Sequence, residues 1–241
     1  MDFHKNNILT NLSMMLSGRV KSPKQLSVDK CLLRDDIFDF DSENILVLVR
    51  ELIQEMTVEW ETVKRLYEFV RDSIIYDFAP KIEDFSDWQA STILRTKRGF
   101  CHQKAILLAT LFRSVGIPSA LVFQTIIDHV LLDTRYRDMI PDGRLPMHAL
   151  VAIYFEKKWY RLDATLDSEL CIKKGYKIMK VIPGNETLLP ETTQDCKPHF
   201  TIEKQLGFFD SYPVELLHTL LKHKANWDRW RKFVKREQIT M

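Results

Sequence analysis

Three residue types that together can break and remake an acyl bond stand far apart in this chain: Cys101, His148 and Asp163. Cys101 sits at the head of GFCHQKAILLATLFRSVGIP, where Ala105, Leu108, Ala109, Phe112 and Val115 form one helical stripe. Gly116 suits a left-handed C-terminal position and Pro118 forbids continuation, so the spacing predicts a helix that Cys101 opens. A cysteine there meets backbone N–H groups without intrahelical partners and the positive end of the helix dipole. Both favour thiolate over thiol and can bring its pKa below about 8.5. Its own N–H is placed to donate to an oxyanion formed on a carbonyl that the sulfur attacks. The structural alternative is a small buried side chain filling a helix start.

The base is expected on a hairpin. HALVAIYF and KWYRLDAT both read as strands, with Glu156-Lys157 as a tight two-residue turn between them. Phe155 then pairs with Lys158, Leu150 falls opposite Asp163, and His148 lies diagonal to Asp163 on the same face. Diagonal neighbours have Cα atoms roughly 7–8 Å apart, a gap that an imidazole and a carboxylate can close to a hydrogen bond. Thiolate as nucleophile, imidazole as proton carrier and carboxylate as orienting group form a working set. Taken singly, His148 reads equally well as a strand-start histidine bonded to backbone, and Asp163 as a cap for the turn at Ala164-Thr165.

The elements that must hold this set follow from the rest of the chain. Asp41 or Ser42 caps a helix carrying Ile45, Val49, Leu52, Ile53 and Met56, and Thr57 opens a second with Val63, Leu66, Tyr67, Val70 and Ile74. IIYDFAP is an extended exit, and Ser86 or Asp87 caps a third short helix that runs to Arg98 before Gly99. SALVFQTII is a strand after the Cys101 helix; YKIMKVI and HFTIEK are candidate short strands, and Pro213 starts a closing helix through Leu217, Leu220 and Leu221. The expected class is α+β, a helix with the nucleophile at its N-terminus packed on an antiparallel sheet. One domain is expected over 1–241, with 1–40 a cover segment, 41–165 the core and 166–241 the C-terminal strands and helix.

Composition narrows the function classes. The 241 residues hold 35 basic and 33 acidic side chains, a net charge of +2, so no global field favours nucleic acid or an anionic membrane. Apolar residues at 45% and charged residues at 28% are those of a globular protein. Only 7 glycines are present, and neither a GxGxxG nor a GxxxxGK[ST] pattern occurs, which argues against nucleotide folds. The four cysteines, at 31, 101, 171 and 196, show neither CxxC pairs nor a disulfide framework, and a reducing, cytoplasmic compartment is expected. No apolar run approaches the roughly 20 residues of a membrane span. No metal site is expected, since His218 and His223 are not at i, i+4 spacing, and no cofactor is implied.

RGFCHQKAILLATLFRSVGIPSALV and MHALVAIYFEKKWYRLDAT together resemble the transglutaminase-like superfamily, whose members share a papain-like thiol fold. The first is similar to the family's glycine, any residue, catalytic cysteine and Ala/Leu helix ending in Gly-Ile-Pro. The second is similar to its His-bearing strand, the Lys-Trp after the turn and the Leu-Asp-x-Thr closing the next strand. The resemblance runs from about Glu51 to Thr165 and implies Cys101 as nucleophile, His148 as base and Asp163 as orienting acid. It departs at Ala164, where the family usually has proline. Related thiol enzymes add a tryptophan or glutamine side chain to the oxyanion site, which makes Trp88 and Gln89 candidates; Tyr76 is a candidate border of the site. The resemblance implies peptidase-like, deamidating, cross-linking or small-molecule acyltransferase chemistry. Peptides, proteins, small acyl compounds or carrier-protein thioesters are the expected substrates, and without an EF-hand pattern calcium independence is expected. A fold retained for binding or scaffolding alone is the competing expectation.

Two further stretches stand out. Residues 128–147 make a long connection with little periodicity, a candidate substrate wall in which Arg135, Arg137 and Arg144 are candidate clamps for a carboxylate or phosphate. Four aspartates in the same stretch equally suit a solvated loop, and His129 is a weaker rival for the base. From Lys222 to Arg236, cations interleave with Trp227, Trp230 and Phe233. That pattern fits a terminal helix packing by its aromatic stripe better than nucleic-acid or membrane binding.

Overall fold

The computed structural model describes residues 22–54, 59–138, 140, 142–222 and 224–239. The first described segment buries Cys31, Ile37 and Phe38, the last two in the main core. Helix α1 (Glu43–Ile53) follows Ser42, whose hydroxyl donates to Asp39 rather than capping the helix. Helix α2 (Trp60–Ser73) buries Val63, Leu66, Tyr67 and Val70, the stripe expected for the second helix; Met56 and Thr57 lie outside the described residues.

The exit from α2 forms a two-residue strand β1 (Ile75–Tyr76), parallel to β2 (Arg98–Gly99). The third helix differs from expectation at both ends. A 3-10 turn spans Phe85–Trp88 with an Asp84/Asp87 capping box, and the α-helix α3 (Ala90–Thr96) starts after Gln89. Lys97 turns left-handed at φ 51°, which frees Arg98 and Gly99 to pair with β1 instead of extending the helix.

Helix α4 (Cys101–Ser114) has the expected bounds, with Gly116 at φ 77° behind it. All of His102 to Arg113 is buried, far beyond one stripe, because α4 is covered by α2 and α3 as well as by the sheet. Arg113 secures its C-terminal end. The guanidinium donates to the carbonyls of Leu33, Ser119 and Asp210 and lies 3.9 Å from the Phe38 ring centroid.

The sheet is antiparallel, in the order β5 (Lys158–Leu162), β4 (Arg144–Phe155), β3 (Ser119–Asp128), β6 (Phe200–Phe209). Leu121, Phe123, Ala149, Val151 and Ile153 join the helices in the main core, while Val122, Leu150, Ala152 and Phe208 form a smaller cluster on the other face. Glu156 and Lys157 both have positive φ, 48° and 64°, the geometry of a two-residue turn of matching twist, and Phe155 pairs with Lys158 as expected.

Helix α5 (Ser168–Lys174) is capped by Asp167. YKIMKVI is not a strand. It has no ladder partner among the described residues, and side chains take its carbonyls instead: Arg71 donates to Met179, Gln194 to Tyr176 and the Thr187 hydroxyl to Lys180. HFTIEK does enter a strand, β6. Helix α6 (Val214–Lys222) follows Pro213, whose carbonyl accepts from Leu217, and α7 (Lys224–Ile239) carries the basic aromatic segment. Among the described residues no helix is long and apolar enough to cross a membrane, and no His/Cys/Asp/Glu group is arranged to hold a metal ion.

Candidate active site

Gly99 explains why the approach to the cysteine needs a glycine. A Cβ there would lie 2.8 Å from Gln103 Cβ, so only a bare backbone lets β2 run this close to the first turn of α4. Gln103 in turn donates to the carbonyls of Lys81 and Asp87 and ties the incoming loop to that turn. Cys101 follows, half-buried at the first helical position, where helix geometry leaves its N–H without an intrahelical acceptor.

His148 and Asp163 meet as the two-residue turn requires. His148 Nε2 lies 2.6 Å from Asp163 Oδ2, and both side chains are almost wholly buried. Asp163 Oδ1 accepts from the Thr165 N–H at 3.0 Å, so one carboxylate serves both the ring and the turn. Its backbone is fixed by two further bonds: Tyr67 Oη donates to its carbonyl at 2.8 Å, and its N–H donates to the Thr187 carbonyl at 2.7 Å. With Nε2 occupied by Asp163, Nδ1 is the ring nitrogen left free to serve Cys101, whose sulfur lies close enough to act on the charge of this imidazole. Burial alone would lower the His148 pKa, but the Asp163 carboxylate, together with the cysteine sulfur, outweighs it and lifts the pKa to about 10.

The other candidates divide. Tyr76 is near Cys101: it pairs with Gly99, and burial followed by the nearby Cys101 sulfur raises its phenol well above the usual range. Its N–H donates to Asp167. Trp88 is fully buried, packed edge-on to Phe100, and its indole N–H has no acceptor among the described residues. The Gln89 amide turns away and donates to the Asp36 carbonyl, because Gln89 is the residue where the chain enters α3. Arg144 is paired with Glu203 and Asp142 at the surface, which leaves its guanidinium committed, and Arg137 is exposed. Arg135 falls in the 3-10 turn Arg135–Asp138, its side chain outside the described residues. The ring of His129, the rival base, bonds Thr201 Oγ1 at 2.9 Å.

The long connection after β3 is anchored by rings rather than by arginines. Tyr136 stacks on Phe78 with centroids 5.4 Å apart, and Trp230 and Phe233 of α7 close on it at 5.8 and 5.9 Å. Phe78 is itself edge-on to Tyr76, and the Trp230 indole donates to the Phe78 carbonyl. Arg231 adds an ion pair to Glu83 at 2.9 Å. The terminal helix thus packs by its aromatic face, as expected, with Trp227 outside the described side chains.

Sequence reasoning missed four groups around the site: His102, Lys104, Gln124 and Tyr212. Lys104 is 1% exposed and donates to the carbonyls of Arg71 and Ile74 at the end of α2; burial pulls its pKa down to about 7. Gln124 pairs with His148 across the sheet, its Oε1 buried without a partner among the described residues. The signal available was the polar run His102-Gln103-Lys104 at the head of an otherwise apolar helix.

Residues 47–164 match the model of the Transglutaminase-like superfamily, and the fold that holds them is of α+β class. No curated protein matches the chain. Two solved structures are similar to it. One is a proposed cysteine protease from Cytophaga hutchinsonii, at 17% identity and a TM-score of 0.44, over 60% of this chain and 45% of that one. The other is a proposed protease from Parabacteroides distasonis, at 15% identity and 0.34, over 66% and 26%. The chain therefore spans under half the length of the first and about a quarter of the second.

Proposed function

We propose that this protein is a thiol enzyme that forms an acyl-enzyme on Cys101 from an amide or thioester carbonyl and then passes the acyl group to water or to an amine. The observation that carries the reading is one imidazole, His148, held at 2.6 Å by a buried carboxylate, with the sulfur of Cys101 at a helix N-terminus near enough to act on its charge. In the first half-reaction the sulfur attacks the carbonyl carbon, and the oxygen that becomes negative lies near the Cys101 N–H. The proton on His148 goes to the departing amine or thiol as the carbonyl reforms. In the second half, His148 takes a proton from the incoming water or amine, that nucleophile attacks the thioester, and the sulfur leaves as thiolate beside the reprotonated ring. Asp163 keeps Nε2 protonated and the ring oriented throughout.

Intact-mass spectrometry after exposure to activated acyl esters tests this. Wild-type protein should gain one acyl group and Cys101→Ala none; an adduct retained in Cys101→Ala, or absent from both, would refute the proposal. Chasing the adduct with an amine panel then separates the two fates, since release only as the free acid excludes transfer to amines.

A further inference from the structure

His102 follows the nucleophile directly and is 3% exposed. Its Nε2 lies 2.5 Å from the Met147 carbonyl oxygen and its Nδ1 2.7 Å from the Tyr212 hydroxyl. A carbonyl oxygen only accepts, so Nε2 carries the proton, and in the neutral ring Nδ1 must accept the Tyr212 hydroxyl proton. The residue after the cysteine is thereby bonded to the residue before the base. The peptide units Cys101-His102 and Met147-His148 become two ends of one short bridge between α4 and β4. Tyr212, 2% exposed in the segment between β6 and α6, locks the ring from the third side. Phe100 stacks on the ring at 4.7 Å, while Trp88 and Phe123 meet it edge-on.

We infer that His102 is a positioning residue for the thiol chemistry: its neutral imidazole sets the separation of Cys101 and His148 by holding the Met147 carbonyl on one nitrogen and the Tyr212 hydroxyl on the other. The inference rests on the acyl-transfer reading above. A ring placed merely to fill space would have no use for two oriented hydrogen bonds to different elements. An apolar residue here would leave a buried carbonyl and a buried hydroxyl unpaired. Burial keeps the ring uncharged, with a pKa near 3, and charge on His148 also opposes a second proton. The bridge therefore keeps one tautomer across the working pH range.

The test is the rate of Cys101 alkylation by iodoacetamide from pH 5.5 to 9.5, read by intact mass, for wild type, His148→Ala, His102→Phe, His102→Gln and Tyr212→Phe. Each folded variant is also followed by thermal unfolding. His102→Phe keeps the ring volume and loses both bonds. It should label at least about tenfold more slowly near pH 7, with the shape of its pH profile changed from that of wild type. His102→Gln, whose amide N–H can reach the Met147 carbonyl, should recover most of the rate. A purely structural role would lower the melting temperature and leave the shape of the profile alone, so a folded His102→Phe with the wild-type profile overturns the inference. Should His102→Phe not fold, Tyr212→Phe decides: a fall of about threefold at neutral pH supports the bridge and an unchanged profile overturns it. A wild-type profile that His148→Ala leaves unaltered would instead remove the acyl-transfer reading, and the inference with it.

Discussion

Replacing Asp163 with asparagine removes one charge and almost no volume, and its consequence can be worked from the site. With the carboxylate present, the His148 pKa stands at about 10, so at pH 7.5 nearly every molecule has the ring protonated beside the sulfur. Without it, the ring falls back to its ordinary value near 6.5 or, given its burial, lower, and at pH 7.5 at most about one molecule in ten remains protonated. Alkylation of Cys101 at that pH should drop about tenfold or more, because an imidazolium favours the thiolate and a neutral ring does not. The asparagine also offers one acceptor oxygen and an NH2 donor where the aspartate offers two acceptors, so with its oxygen on the Thr165 N–H its amide can only donate to Nε2, which holds the neutral ring in the tautomer that carries its proton on Nδ1. The sign of the pH dependence is a second check. His148 gains a proton partner on folding, so its stabilisation is complete below pH 6.5 and is lost as the pH rises through about 10. Wild-type protein should lose more stability than Asp163→Asn across that window in urea titrations. Equal alkylation rates for the two proteins between pH 6.5 and 7.5, with Asp163→Asn folded, would refute the reasoning.

Other perturbations follow from single contacts. Gly99→Ala places a Cβ 2.8 Å from Gln103 Cβ, which is not the far end of a flexible chain; the first turn of α4 must shift, and a loss of about 1–3 kcal/mol with slower Cys101 alkylation is expected. Lys157→Gly relieves a left-handed residue at φ 64°, and a gain of about 1 kcal/mol, or roughly 2–4 °C in melting temperature, should appear with no change in alkylation. Lys104→Met tests the buried ammonium. The folded-state pKa near 7 means that the cost of burying its charge is full below that pH and is relieved as the pH climbs toward 10.5. The variant lacks this relief, so its unfolding free energy should fall more steeply than that of wild type between pH 7 and 9.5.

The parts of this molecule that were legible in the sequence are those set by short-range rules. The bounds of α4 follow from a stripe, a glycine and a proline, and the approach of His148 to Asp163 follows from counting two residues in a turn. What escaped depended on contacts across long sequence separations. Lys97 ends α3 because β1, twenty residues earlier, offers its backbone a partner. His102 reads as a polar residue on a buried helix until Met147 and Tyr212, 45 and 110 residues away, are seen against its nitrogens. Gln89 and Arg144 have plausible chemistry and nearby positions, yet a backbone carbonyl and two carboxylates claim them. Propensity and motif spacing carry no information about such distant partners.

The hairpin between β4 and β5 has a consequence for how this gene can change. Substitutions at Glu156 and Lys157 leave the strand count between histidine and aspartate untouched, and any pair that tolerates left-handed backbone will serve. Deleting or inserting one codon there swings the carboxylate to the opposite surface of the sheet, where no single point mutation can retrieve it. Drift within this turn should therefore be free in composition and closed in length.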